Sequence, residues 1–311
     1  MAAAFVASLT WHLLSRHIGH LSANVRAQII FGLRLGPVAA AVVFVCAFVV
    51  PSYLLLEPAN SGEVVSGKLA IIAIVSSIAV LVAGFRVLRT WQVTRSLRAS
   101  WQDGAVELEV EGINARVFGI SHPFPVMAVI GIFRPRMFVA KQVLDSLSGD
   151  EFDAAVAHEC AHLRSHDNLK RTLLQICRDL VIAPFGKNLD RAWAENVESA
   201  ADEHAACTNP SVALDLASAL VKLARIAPHS SPQASFSGSF LFDARCVDVT
   251  ERVRRLLGFA DKSRRPINRA YSLPAWIWPT AVTCLLTMHF FDQRLLLKTH
   301  EAIERFVWII Q

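Results

Sequence analysis

The stretch that decides the fold reads AAVAHECAHL and occupies residues 154–163. It contains the pattern His-Glu-x-x-His within an apolar run. Because an α-helix turns once in about 3.6 residues, His158 and His162 lie on one face of the predicted helix. Two histidines so placed can bind one Zn²⁺, and Glu159 lies beside them, where it can serve as general base to a bound water. The stretch therefore predicts a helix that carries the site of a zinc hydrolase.

The residues just before this stretch support a helix. Ser148 and Glu151 have the spacing of a capping box, in which each side chain accepts a hydrogen bond from the other residue's backbone N–H. The alternative is a buried helix with two incidental histidines. A glutamate between them would then be costly to bury without a partner, which disfavours that alternative.

A catalytic zinc site needs a third protein ligand and one open position. A second helical run over residues 195–205 offers Glu198 and Asp202, which are four residues apart and share a face. We interpret Glu198 as the third ligand and Asp202 as a carboxylate that orients a ligand histidine. Glu195, on the same face, and His166, four residues after His162, remain the alternative ligands.

The pattern His158-Glu159-x-x-His162, followed by Glu198-x-x-Ala201-Asp202, resembles that of the gluzincin membrane peptidases. These include the HtpX-like proteases, the CAAX prenyl endopeptidases and the BlaR/MecR-type sensor peptidases. The order and spacing of the motifs resemble the BlaR/MecR branch over roughly residues 25–260. Three more stretches resemble parts of these families. Residues 131–139 resemble the strand before the zinc helix, and residues 147–151 resemble the entry to that helix. Residues 252–257 resemble a late Arg-Ile-x-x-Leu element.

The resemblance implies further roles. Residues 136–140 would form an edge strand that pairs with an extended substrate through backbone hydrogen bonds. Arg252 would pair with an active-site carboxylate; contact with the transition state and an ordinary membrane-proximal position are the alternatives. The resemblance implies a transcriptional repressor as one substrate class. The sequence contains no penicillin-binding sensor domain after residue 260, so antibiotic sensing is not implied.

The composition is that of a membrane protein. The chain has 311 residues, of which 53% are hydrophobic and only 18% are charged, which is too apolar for an ordinary soluble domain. A spanning helix needs about 20 apolar residues. Three uncharged runs approach or reach that length and predict spans at residues 36–56, 69–85 and 270–291. Residues 1–14 are apolar but too short to span.

Basic residues set the predicted orientation. Arginines precede the first run, follow the second and precede the third, which places residues 87–270 in the cytoplasm by the positive-inside rule. Because these arginines adjoin apolar spans, anionic lipid is the expected partner and nucleic acid is not. The six cysteines occur singly, which suits a reducing compartment. We therefore predict an integral membrane protein of the cell inner membrane.

The predicted fold class is α+β, with helical transmembrane anchors and a cytoplasmic zincin-like metallopeptidase domain built from a small sheet plus helices. The predicted strands are 106–110, 115–120 and 136–140, and the predicted helices are 149–166, 167–183, 189–207 and 210–227. A Ser/Pro-rich loop is expected at 229–238 and an amphipathic tail at 292–311. The predicted units are an N-terminal membrane region (1–95), the peptidase domain (96–269) and a C-terminal span with its tail (270–311).

The sequence thus predicts a membrane-anchored endopeptidase with one zinc ion per chain and a protein or peptide substrate. Glu159 would be the catalytic base, and His158, His162 and Glu198 would be the metal ligands, supported by Asp202 and Arg252. Two alternatives remain, which are a zinc-binding signalling scaffold without proteolysis and a zinc hydrolase acting on a non-peptide, membrane-derived substrate. Glu159 argues against the scaffold, since a site that only binds metal does not need this base.

Overall fold

The computed structural model shows a helical protein built around a small mixed sheet, with two long apolar helices near the N-terminus. This architecture confirms the predicted α+β class with helical anchors. The structure describes residues 9–56, 67–110, 116–180, 186–207, 209–226, 238–240, 249–261 and 293–310. The predicted span at 270–291 and nearly all of the predicted loop at 229–238 lie outside the described residues.

The first apolar helix is longer than the uncharged run that predicted it. Helix α1 (Ala23–Phe44) continues through a π-helical turn (Val45–Val49) into helix α2 (Val50–Leu56). Residues 23–52 are long and apolar enough to cross a membrane as one helix. The predicted span at 36–56 is therefore the C-terminal part of a helix that begins at Ala23.

The second apolar helix, α3 (Gly67–Gln102), has 36 residues. At about 1.5 Å per residue it is roughly 54 Å long, well beyond the 30 Å or so of a bilayer's hydrocarbon core. Leu81 and Phe85 are 71% and 65% exposed, so no described part of the protein covers this face. Such an apolar surface is stable in lipid rather than in water. The predicted span at 69–85 forms the first half of this helix.

The sheet lies next to the end of α3. Its strands are β1 (Val106–Leu108), β2 (Val117–Ile120), β3 (Met127–Ile130), β4 (Arg136–Ala140) and β5 (Gly238–Phe240), in the spatial order β1-β2-β4-β3-β5. The β2–β4 pair is parallel and the other pairs are antiparallel. Strand β3 is buried along its whole length and β4 nearly so, which shows that both faces of these apolar strands are covered.

Two expectations about the sheet are wrong. Residues 131–139 do not form one strand, because β3 ends at Ile130 and the chain turns at Gly131, whose φ is 109°. Strand β4 is not an edge strand, because it pairs with β2 on one side and with β3 on the other. Its backbone groups are committed within the sheet, so an extended substrate cannot add to it. The edges of the described sheet are β1 and β5.

The chain after β4 is mainly helical. Helices α4 (Lys141–Ser146), α5 (Gly149–Ser165), α6 (Asp167–Leu180), α7 (Lys187–Ala206) and α8 (Pro210–Ile226) follow one another. Four of them agree with the predicted helices to within three residues, and α4 was not predicted. Two further helices are α9 (Val249–Asp261) and α10 (Gln293–Ile310), the latter at the predicted amphipathic tail.

Helix α5 has well-defined ends. The predicted capping box is present, with the Ser148 side chain accepting from the Glu151 backbone and the Glu151 side chain accepting from the Ser148 backbone. The helix stops at His166, which has a left-handed conformation with φ of 54°. Helix α5 contacts β3, α7 and α8, and the main core joins the sheet to α5, α8 and α9. This packing fixes the helix that carries the His-Glu-x-x-His pattern.

Candidate metal centre and active site

The two histidines of α5 lie together in the interior. His158 is 0% exposed and His162 is 2% exposed. Their Nε2 atoms are 3.2 Å apart, as the four-residue spacing on one helix face predicts. When both rings carry their proton on Nδ1, neither Nε2 atom can donate to the other, and each can accept from a donor or bind a metal ion.

Helix α7 brings Glu198 to the histidine pair. Glu198 Oε2 lies 3.6 Å from His158 Nε2, and Glu198 Oε1 lies 3.7 Å from His162 Nε2. One ligand atom from each of these three residues falls within 4.8 Å of the others. Glu198 is 3% exposed, and its Oε2 accepts no hydrogen bond from the part of the chain that the structure describes.

The separations of these atoms fit a shared metal ion. Zinc bonds of about 2.0–2.1 Å in a tetrahedron place any two ligand atoms about 3.4 Å apart. The observed separations of 3.2, 3.6 and 3.7 Å lie on either side of that value. Two imidazole nitrogens and one carboxylate are also a ligand set that zinc prefers. The residues present therefore fit a zinc ion.

The alternative ligands lie elsewhere. The side chain of Glu195 is 44% exposed and pairs with Arg191 at 3.1 Å. His166 is exposed at the end of α5, where its Nδ1 lies 3.1 Å from the carbonyl oxygen of Arg164. The structure brings neither side chain to the histidine pair.

Asp202 and Arg252 lie on the His158 side of the cluster. Asp202 Oδ1 is 3.0 Å from His158 Nδ1, so this carboxylate leaves Nε2 as the ring atom that faces Glu198. Arg252, from α9, donates to both Asp202 oxygens, with Nε···Oδ2 and Nη2···Oδ1 distances of 2.9 and 2.6 Å. Its Nη1 lies 3.4 Å from Glu198 Oε2. This two-pronged pairing holds the Asp202 carboxylate in one orientation.

Asp167 has the corresponding place on the His162 side, although it was not among the predicted site residues. Its Oδ2 lies 2.8 Å from His162 Nδ1, and the residue is 4% exposed. Asp167 is the first residue of α6, and the left-handed turn at His166 reverses the chain so that this side chain reaches back to α5. A carboxylate directly after the end of the zinc helix is the signal that could have identified it.

The charges of the cluster are strongly coupled. Burial alone would raise the pKa of Glu198, but the neighbouring His162, His158 and Arg252 lower it to about 2. The pKa of Asp202 also lies below its ordinary range, because the effects of Arg252 and His158 exceed that of burial. Burial alone would lower the pKa of His158, whereas Asp202 and Glu198 raise it. Both carboxylates are thus ionised at neutral pH, as a cation site requires.

Glu159 and Cys160 separate the two histidines in the sequence. Glu159 is 0% exposed, and its negative charge contributes, with those of Asp202 and Glu198, to a raised pKa of Arg252. Burial raises the pKa of the Cys160 thiol, so this cysteine is not poised as a thiolate nucleophile.

A cavity of about 230 Å³ opens beside His162. Apolar side chains, among them Val129 and Ile132, form much of its wall. Asn168 stands at the base of α6, and its Nδ2 donates to the carbonyl oxygens of Val129 and Gly131 at 3.1 and 3.0 Å. These bonds attach the start of α6 to the end of β3. The cavity offers room beside His162 for part of a substrate.

The structure combines two membrane-capable helices with a buried His-His-Glu cluster that could hold a metal ion, as a membrane-associated metallopeptidase requires. Comparison with protein families agrees: residues 55–254 match the family described as BlaR1 peptidase M56. This match covers more than half of the chain, so the protein belongs to that family, and the expected BlaR/MecR-type relationship is confirmed. Members of this family generally use a metal ion, usually zinc. A search of curated proteins found no match.

Proposed function

We propose that this protein is a membrane-anchored zinc endopeptidase with one zinc ion per chain. The observation that carries the proposal is the convergence of His158, His162 and Glu198 at separations suited to zinc, with Glu159 between the two histidines in the sequence. A binding site without catalysis would need the three ligands but not a buried fourth acid. Membership of a peptidase family supports the same conclusion.

Each residue of the site has a role that its surroundings support. His158, His162 and Glu198 would hold a zinc ion, which would supply a Lewis acid that acidifies a nearby water. Glu159 accepts a proton from the attacking water and returns it to the leaving amine. Asp202 and Asp167 hold the Nδ1 atoms of the two histidines, which leaves both Nε2 atoms for the metal.

Arg252 stabilises the acidic side of the site. It balances the charges of Asp202 and Glu198. All three residues are at least 97% buried. Without such a partner, two ionised carboxylates in the interior would be costly. We therefore assign Arg252 to pairing with these carboxylates, and we expect its role in the reaction to be indirect.

We also propose an orientation and a domain organisation. The basic residues that flank the apolar runs support a cytoplasmic position of the zinc site, on the inner face of the cell inner membrane. The substrate is then a cytoplasmic or membrane-proximal protein, with a regulatory repressor as the class that the family suggests. The units are a membrane region over 1–95, a peptidase domain over 96–269 and a C-terminal membrane segment over 270–311.

The proposal is tested with the full-length chain purified in detergent and an unstructured protein such as casein. Wild type should hold zinc and cleave casein, and a chelator should abolish cleavage. Glu159→Gln should keep zinc but lose roughly 10²- to 10⁴-fold in rate, the usual contribution of a positioned base. Glu195→Gln makes the same chemical change at a half-exposed site on α7 and should leave the rate unaltered. If the protein binds zinc but shows no cleavage that depends on Glu159, the result would instead support a zinc-binding signalling scaffold without proteolysis.

A further inference from the structure

The N-terminal half of the first membrane helix packs against the helix that carries Glu198. Its buried residues, Ala23, Ala27, Ile30 and Arg34, recur at helical spacing and form one stripe on α1. Ala27 and Ile30 share a core cluster with Leu174 of α6 and with residues of α7, namely Leu189, Trp193 and Val197. This part of α1 therefore packs as a helix of the peptidase domain, although it is continuous with the first candidate span.

Two polar contacts attach α1 to α7. The Arg34 guanidinium donates from Nε to Asp190 Oδ1 at 3.0 Å, with Arg34 only 4% exposed. At the other end, the backbone N–H of Ala23 lies 3.1 and 3.3 Å from the two carboxylate oxygens of Glu203. The two attachment points on α7 are thirteen residues apart, which is roughly 20 Å along a helix. Glu198 lies between them.

The contact at Arg34 is closely packed. A Cβ atom on Gly186, the residue before α7 begins, would lie 2.5 Å from Arg34 Nη2. A larger residue at position 186 would therefore displace this guanidinium from its present place. Arg34 thus contacts both the start of α7 and its first turn, so a shift of α1 relative to α7 would break the ion pair.

Glu198 depends on the placement of its helix. Its nearest polar neighbours in the site lie 3.4–3.7 Å away, and Oε2 accepts no hydrogen bond from the residues that the structure describes. Short hydrogen bonds therefore do not fix this carboxylate. Its position relative to the histidines of α5 follows from the position of α7, which lies in contact with both α1 and α5.

We propose that Arg34, in the first membrane helix, is a positioning residue for the metal site, acting through Asp190 and α7 on Glu198. This inference rests on the proposed function of that site. Residues 23–54, which include Arg34, precede the region that matches the family. It makes the first membrane helix part of the apparatus that sets the distance between Glu198 and the histidine pair.

The test is the zinc affinity of the full-length chain in detergent, measured by competition with a chelating fluorophore. Arg34→Gln should weaken zinc binding about tenfold, the lower end of the effect of residues that orient a ligand. Arg34→Lys should lose less, because it keeps the charge but not the planar fork. Arg89→Gln removes an exposed arginine near the membrane on α3 and should leave the affinity unchanged. Equal affinity in wild type and Arg34→Gln overturns the inference.

A double-mutant cycle and a second metal separate positioning from general destabilisation. Arg34→Gln combined with Asp190→Asn should bind zinc no more weakly than the worse single variant, because both act through one ion pair. The absorption spectrum of bound Co²⁺ should change in Arg34→Gln if Glu198 is displaced. A variant with lower thermal stability but an unaltered Co²⁺ spectrum and unaltered zinc affinity would show a purely structural role and overturn the inference.

The experiments distinguish failure of the proposed function from failure of this inference. Should Arg34→Gln fail to fold, Asp190→Asn alone keeps an acceptor for the guanidinium and makes the same test with a smaller expected loss. If wild-type protein holds no zinc that depends on Glu198, the proposed function fails and this inference fails with it. If zinc binds through Glu198 and both variants bind as wild type does, only this inference fails.

Discussion

Two buried carboxylates have opposite surroundings, namely Glu151 at the start of helix α5 and Glu198 of α7, which faces the histidines of α5. At the first turn, Glu151 accepts hydrogen bonds from the Ser148 backbone at 2.8 Å, the Ser218 hydroxyl at 2.6 Å and Lys222 at 2.7 Å. Two turns further along α5, His158 and His162 approach Glu198 only to 3.6 and 3.7 Å, and Arg252 Nη1 approaches it only to 3.4 Å. One end of the helix is complete within the protein, and the other is arranged for something that binds.

The difference separates stability from function. A buried carboxylate with three good donors stabilises the fold, and these bonds lower the pKa of Glu151 to about 2 even though burial alone would raise it. A buried carboxylate without matching hydrogen bonds costs stability, unless a cation compensates for it. Substitutions at the two ends should therefore affect different measurements, the free energy of unfolding at one end and metal binding at the other.

The largest expected effect is loss of the metal. His162→Ala or Glu198→Ala removes one of three ligands, so stoichiometric zinc should not survive purification. Glu151→Gln should retain one zinc ion per chain, because it lies at the other end of the helix. Metal analysis of the purified variants measures both. Full zinc content in Glu198→Ala would mean that the third ligand is another carboxylate and not Glu198.

Smaller losses are expected from the carboxylates that hold the histidines. Asp167→Asn and Asp202→Asn should each weaken zinc binding by roughly 10- to 100-fold, the usual cost of losing such a partner. Asp202→Asn should cost more, because it also leaves Arg252 buried beside an uncharged amide. Competition titrations with a chelator rank the variants. Equal losses would mean that the Arg252 contact adds nothing to the metal site.

At the other end of α5 the expected effect is on stability. Glu151→Gln loses the charge opposite Lys222 and one of its acceptor oxygens, and should cost about 1–3 kcal/mol of unfolding free energy. The neighbouring Asp150→Asn, at an exposed position in the same helical turn, is the matched control and should cost much less. Thermal unfolding of the chelated proteins compares them. A similar loss in both variants would mean that the helix dipole, and not the buried contacts, carries the effect.

The smallest effect is a difference in pH dependence. Because the pKa of Glu151 is lower in the folded state than its ordinary 4.5, its contribution to stability is present above about pH 4.5 and is lost as the pH falls toward 2. Glu151→Gln lacks this contribution at every pH. The stability difference between wild type and Glu151→Gln should therefore shrink between pH 5 and pH 3, measured with chelator present. A constant difference would place the pKa of this carboxyl near its ordinary value.

Several features of the protein could be predicted from the sequence because their signals are local. The capping box at Ser148 and Glu151, the shared helix face of His158 and His162, and the helix with Glu198 and Asp202 follow from spacing along one helix. The apolar anchors follow from uncharged runs of sufficient length. Helical periodicity also placed Glu198 and Asp202 on one face, and this is the face that the structure turns toward α5.

Only the tertiary structure decided how separate elements meet. The central place of β4 depends on its pairing with β2 and β3, and the sequence of a single strand does not determine the order of strands in a sheet. Asp167 reaches His162 because of a left-handed turn at His166, a conformation that local propensity disfavours. Arg34 and Asp190 are 156 positions apart, so no periodic pattern links them. Helix faces and caps are properties of neighbouring residues, whereas the contacts that complete this site join distant parts of the chain.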